Sequence, residues 1–223
     1  MTTRMGGQPQ LRVLAVGDAE LIDLVASQQD GGTKLTKGLA EKVADDFDGK
    51  YKVELEFRPG ASAAELIDDL AGLQADPPDV VILSLLPDIV GEGRLDVESF
   101  RASLRALCAF LKEAGSYVLI ANVSTFDRAD TMTNYFGSSG DSPSLRAHKV
   151  ASTILDLSNE LGISVIDSDR LLAEIGAHGH VEGLGSYSAE ASGVIRDEIY
   201  RIMADYGFFE ERPLLAQAGA KQR

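Results

Sequence analysis

Leu11-Arg12-Val13-Leu14-Ala15-Val16-Gly17-Asp18 is the stretch whose reading decides the fold. It is apolar on consecutive residues apart from Arg12, and it stops on glycine and aspartate. A short run of that kind fits a strand buried on both faces, as in a parallel sheet covered by helices. Four further runs follow it: Val53 to Phe57, Val80 to Leu85, Tyr117 to Ala121 and Ser164 to Ile166. Val53 to Phe57 alternates in polarity, which predicts a place nearer the sheet edge.

Between the runs lie segments of helical period: Thr33 to Phe47, Ser62 to Leu73, Val97 to Ala114, Pro143 to Leu161, Asp169 to Ile175 and Ser188 to Tyr206. Ser62 with Glu65 three residues on has capping-box spacing, in which each side chain satisfies an orphan amide at the helix start. Asp141 or Ser142 before Pro143 opens another helix, because proline is tolerated in a first turn. Asp48-Gly49, Ala114-Gly115, Leu161-Gly162 and Tyr206-Gly207 supply stop signals. Strand and helix alternate, which predicts right-handed crossovers and a doubly wound α/β/α sandwich of three layers. Two segments break the rhythm. The polar stretch from Val123 to Ser142, with Gly137-Ser138-Ser139-Gly140, has the length of a binding loop or lid. The tail from Glu210 to Arg223 reads as frayed or as an oligomer contact.

The chain has 223 residues, of which 44% are apolar, enough for one substantial core. The expected organisation is a disordered segment over 1–10, one domain over 11–209 and a tail over 210–223. Lys and Arg number 21 against 35 Asp and Glu, for a formal net charge of −14. That balance argues against binding nucleic acid or an anionic membrane. No stretch approaches the ~18 apolar residues of a membrane helix, so a cytoplasmic protein is expected. The single cysteine, Cys108, lies in an amphipathic helix pattern beside Leu107, and with no second cysteine it reads as a buried structural thiol.

In a doubly wound sheet, ligands bind beyond the carboxyl ends of the strands, near the point where strand order reverses. The sequence after the first run, Val16-Gly17-Asp18-Ala19-Glu20-Leu21, resembles the Gly-Asp-Ser-Leu block of the SGNH (GDSL-type) hydrolases, with Ala19 in the nucleophile's place. After the second, Arg58-Pro59-Gly60-Ala61-Ser62 is similar to that family's second block, whose glycine offers an amide to the oxyanion; Gly60 matches it. After the third, Leu86-Pro87-Asp88 stands where the family has its glycine and asparagine, so Leu86 and Asp88 replace them. Near the C-terminus, Tyr187-Ser188-Ala189-Glu190-Ala191 and the helix behind it resemble the family's last block, with Gly183 at its aspartate, Ser186 at its histidine and Glu182 one residue from the aspartate position. The resemblance spans roughly residues 11–206 and implies a five-stranded parallel, flavodoxin-like sheet.

By the same resemblance, Gly17, Asp18, Ala19, Glu20, Gly60, Leu86, Asp88, Asn122, Glu182 and Ser186 are expected to line a ligand cleft. Its chemistry differs from the family's. Ester hydrolysis on this plan needs a hydroxyl nucleophile, an imidazole to take its proton and donors aimed at the oxyanion. Alanine cannot attack a carbonyl, Ser186 cannot act as a base near neutral pH, and an ionised Asp88 repels an oxyanion. Weak candidates for relocated catalytic groups are His180, Ser62 and Ser124, with His178, Ser84 and Thr125 behind them. Asp18, Glu20, Asp88 and Glu182 could gather around a divalent cation or serve as solvated loop carboxylates; the second reading is preferred, and no metal or cofactor is assigned. His148 reads as a surface residue. Asn134, Tyr135 and Arg58 join Asn122 as polar or aromatic groups near loop mouths. No dinucleotide or phosphate-loop glycine pattern is present.

The leading expectation is a non-hydrolytic protein with a degenerate SGNH site that holds a small acyl, sugar or peptide-like ligand or acts as an accessory; the alternatives are, second, a divergent ester hydrolase or acyltransferase with a relocated nucleophile and, third, a module for a carrier-protein or enzyme partner. The third follows from a likeness to the SGNH-like domain that precedes phosphatase-like domains in carrier-loading enzymes.

Overall fold

A computed structural model describes residues 10–17, 29–30, 33–34, 38–59, 66–67, 73, 75–84, 96–122, 143–174 and 189–209. Five strands form one sheet: β1 (Gln10–Gly17), β4 (Lys52–Pro59), β5 (Val80–Ser84), β6 (Tyr117–Asn122) and β7 (Ser164–Asp167). Two short strands, β2 (Gln29–Asp30) and β3 (Thr33–Lys34), pair separately. The order in the large sheet is β4-β1-β5-β6-β7, and every pairing in it is parallel. The helices are α1 (Leu39–Asp46), α2 (Val97–Glu113), α3 (Pro143–Leu161), α4 (Ser168–Glu174) and α5 (Ala189–Tyr206). Residues 66, 67, 73 and 75 are also helical. The expected sandwich and its flavodoxin-like order are therefore present. β1 begins one residue earlier than the sequence pattern indicates, so Gln10 belongs to the sheet rather than to a disordered segment.

Alternation along each strand divides the core in two. Val13, Ala15, Val80, Ile82, Leu119, Ala121 and Ile166 face a layer made by α1, α4 and α5. Leu14, Val16, Val81, Leu83, Val118 and Ile120 face the opposite layer, built from α2, α3 and the helical residues around Leu66 and Leu73. All five residues of β5 are buried. Only β4, at the edge, keeps the alternating pattern: Val53 and Leu55 pack inward while Glu54 and Glu56 are exposed.

The amino ends of the central strands are tied together. Arg12 N donates to Asp79 Oδ2 at 2.9 Å, Tyr117 N donates to Asp79 O at 2.8 Å, and buried Ser116 Oγ donates to Pro78 O at 2.7 Å. These bonds satisfy polar groups where the helices give way to strands.

Helix boundaries follow local chemistry. Asp96 Oδ1 accepts from the amides of Glu98 and Ser99, which starts α2. Gly115 stands in the left-handed region at φ 93 and Gly162 at φ 62, where a β-carbon would be strained, and each ends the helix before it as its sequence predicts. Lys112 Nζ donates to the carbonyl of Leu161, which fastens the end of α3 to α2.

One expected helix is shorter than the sequence pattern. Thr33 to Phe47 does not form a single helix: Thr33–Lys34 is strand β3, paired antiparallel with β2, and α1 starts only at Leu39. Two residues of sequence separate β2 from β3, a spacing that hairpins favour. Gly38, extended at φ −72 and ψ 170, marks the true start, and its amide donates to Glu41 Oε2 at 3.2 Å. α4 starts one residue earlier than expected, and α5 one residue later. The proposed caps Ser62, Asp141 and Ser142 lie outside the described residues.

Leu119 is wholly buried at the centre of the sheet. Leu119→Ala is expected to lower unfolding free energy by about 2–5 kcal/mol in urea titration, because it leaves a cavity between sheet and helices.

Candidate functional site

Strand order reverses at β1, which pairs with β4 on one side and β5 on the other. The crevice rule therefore selects the carboxyl ends of β1 and β5 and their neighbours. Gly17, the last residue of β1, aligns with Pro59 at the end of β4. Val16 aligns with Leu83, so β5 runs one residue further, to Ser84, which in turn aligns with Ala121. Asn122 ends β6 and Asp167 ends β7, and the two are register partners.

Register also sorts these residues by face. Ser84 follows Val80 and Ile82 toward the layer of α1 and α5, and it is 8% exposed. Asn122 follows Val118 and Ile120 toward α2 and α3, and Asp167 shares its face. Asn122 is 6% exposed, and among the described residues its Oδ1 accepts no hydrogen bond. Asp167 serves its own neighbourhood, since its Oδ1 accepts from Arg170 N at 3.1 Å and so caps α4 where it follows directly on β7. The sequence reading missed this carboxylate. Its signal was Val165-Ile166-Asp167-Ser168-Asp169, an apolar run stopped by three capping residues.

Of the expected cleft residues, Gly17 and Asn122 are both at strand carboxyl ends, as the crevice rule requires. Asp18, Ala19, Glu20, Gly60, Leu86, Asp88, Glu182 and Ser186 lie outside the described residues. So do Ser62, Ser124, Thr125, His178, His180, Asn134 and Tyr135. Arg58 does not stand alone at a mouth; its Nε binds Glu56 Oε1 on the same strand at 3.1 Å. His148 is exposed on α3, as its sequence context indicated. Among the described residues no group of three or more His, Cys, Asp or Glu side chains is placed to hold a metal ion. Nor is any described helix long and apolar enough to cross a membrane.

A cavity of about 300 Å³ lies elsewhere, against the bodies of β1 and β4, lined by Arg12, Leu14, Glu54, Glu56 and Pro78 among others. Its charges are ion-paired, with Arg12 to Asp76 at 2.5 Å and Lys52 to Glu54 at 2.9 Å. It does not reach the strand ends.

Three solved structures show what this architecture is similar to. They are a lipase/acylhydrolase from Enterococcus faecalis (16% identity, TM-score 0.62, covering 86% of this chain and 95% of that one), a member of the lipolytic G-D-S-L family from Veillonella parvula (16%, 0.59, 87% and 98%), and a catalytic mutant of an acetylxylan esterase from Geobacillus stearothermophilus (13%, 0.61, 93% and 99%). The fold is that of the SGNH hydrolases. No family model matches the chain, and no curated protein does. At these identities the likeness concerns the SGNH fold and leaves the chemistry to this chain's own residues. In the SGNH frame, Gly17 at the end of a central strand is followed in sequence by Asp18-Ala19.

Cys108 is fully buried on α2, and burial pushes its thiol up to about 12, with Lys112 opposing weakly. The native protein is therefore expected to resist thiol reagents at mildly alkaline pH and to react once unfolded. Because the folded-state value lies above the ordinary 9.0, the unfolded chain loses this proton first. The thiol's contribution to stability is then complete below the ordinary value and declines as pH rises toward 12. Urea midpoints measured over alkaline pH, compared with Cys108→Ala, test the sign. Asp167→Ala is expected to cost about 1 kcal/mol through the lost cap, and Asp167→Asn much less.

Proposed function

We propose that this chain is a non-hydrolytic protein on the SGNH fold, which uses the crevice beyond β1, β5 and β6 to hold a small ligand. The observation that carries the reading is Ala19, which stands two residues past Gly17, the end of central strand β1, at the position the resemblance gives to the nucleophile. A methyl group has neither a lone pair to attack a carbonyl nor a proton to surrender. The family's other groups are replaced as well. Leu86 and Asp88 stand for glycine and asparagine, and Ser186 stands for the base.

The described residues offer no obvious substitute. Ser84 is buried at a strand end, on the face of Val80 and Ile82. His148 is exposed on α3. Loss of the nucleophile leaves the fold's stability intact, since the sandwich rests on the two buried layers rather than on catalytic groups. On this reading the crevice keeps binding and loses turnover. The ligand is of acyl, sugar or peptide-like chemistry, and the naming of an acetylxylan esterase among the structures sharing this fold supports including sugars.

The experiment is treatment of the full chain with a fluorophosphonate probe, read by intact mass, together with p-nitrophenyl acetate turnover. The expected result is no adduct and no hydrolysis above buffer. A stoichiometric adduct, with turnover abolished by changing Ser62, Ser124 or His180, would instead establish a relocated catalytic group.

A further inference from the structure

Nearly every buried polar side chain in a folded protein has a hydrogen-bond partner, because an amide oxygen withdrawn from water without one costs about 1–3 kcal/mol. Asn122 departs from that rule at an informative place. It is the last residue of β6, more than nine-tenths buried, and among the described residues its Oδ1 has no hydrogen-bond partner. Strand alternation puts it on the face of Val118 and Ile120, which are aliphatic and packed against α2 and α3. At position 122 the strand ends, so the buried amide stands at the carboxyl edge of the sheet.

Asp167, its register partner on β7, places a second acceptor beside it. One carboxylate oxygen caps α4, and among the described residues the other makes no hydrogen bond. Arg170, the nearest cation in sequence, turns away to Glu174 at 2.5 Å and Glu198 at 3.9 Å, so it does not neutralise Asp167. The two strand ends thus present acceptors side by side.

We propose that Asn122 and Asp167 form the recognition end of the cleft and accept hydrogen bonds from a neutral, hydroxyl-rich ligand, such as a short sugar. The assignment rests on the reading of this crevice as a binding site. An anionic ligand is disfavoured, since Asp167 and a net charge of −14 repel it. A cation would have to shed its water to reach Oδ1 of Asn122, a neutral and buried partner, and that exchange is unfavourable. A hydroxyl pair meets both acceptors without transferring a charge into the interior. Asp167 then orients the ligand from the half-buried rim, and Asn122 reads it at depth.

The test uses xylobiose as a neutral hydroxylated probe, with propylamine and acetate as charged ones, in ligand-observed NMR and calorimetry on the full chain. The expected result is that xylobiose binds with an affinity indifferent to salt, and that Asn122→Leu weakens it about tenfold, the loss of one buried hydrogen bond. The melting temperature of Asn122→Leu is expected to hold or rise, because the substitution removes an unsatisfied acceptor from the interior. Three outcomes overturn the proposal: no xylobiose binding, equal binding by the variant, or a marked fall in its melting temperature, which would assign Asn122 to the fold. Salt-sensitive binding of propylamine or acetate in place of xylobiose overturns the neutral class. A fluorophosphonate adduct with xylobiose binding intact removes the non-hydrolytic reading but leaves the Asn122 assignment standing. A silent probe without xylobiose binding does the reverse.

Discussion

The burial of β1, β5 and β6 on both faces is the constraint from which the rest of the structure follows. A strand covered on both sides can satisfy its amides and carbonyls only through its neighbours, so these three strands pair on each flank. Parallel pairing then obliges each connection to cross a face of the sheet, and the crossing helices complete the two layers. With both faces occupied, the strand ends are the place left for polar work. The strand ends are left open to polar groups as a consequence of how the core is sealed.

The same constraint gives meaning to the polar residues that are buried anyway. Ser116 has a partner at the amino side of the sheet, and its bond to Pro78 helps join two strand starts. Asp167 is half-buried and serves as a helix cap. Asn122 is the different case, an amide at the carboxyl side with an acceptor left over. Polar groups at the amino end of the sheet close the structure, and Asp167 does the same at the carboxyl end, while among the described residues Asn122 Oδ1 keeps its bonding capacity. The proposed absence of a nucleophile and the proposed recognition role of Asn122 are compatible, since attack and recognition are carried by different atoms.

Much of the fold was legible because the signals were long or chemically sharp. Continuous apolar runs marked the buried strands, and the alternation of Val53 to Phe57 marked the edge strand, since only an edge with an open face tolerates Glu54 and Glu56. α3 was bounded by Pro143 at its start and Gly162 after its end, residues whose backbone preferences are intrinsic. The hairpin of β2 and β3 was missed because strands of two residues have no period to read, and the segment was absorbed into the amphipathic pattern of α1. Asp167 was missed for a related reason: in Asp-Ser-Asp any member can cap a helix, and packing decides which one does.

The sequence by itself determined the architecture, through apolar periodicity and stop residues, and it determined the absence of a serine after Asp18, a matter of covalent identity that folding cannot alter. Only the tertiary structure decided which residues meet. The pairing of Asn122 with Asp167 joins positions 45 apart, and it depends on register between β6 and β7, which no local pattern encodes. The unpartnered state of Asn122 Oδ1 is likewise a property of its surroundings. An asparagine reads the same in any sequence, and its burial without a partner arises only when the sheet is assembled and its two layers are in place.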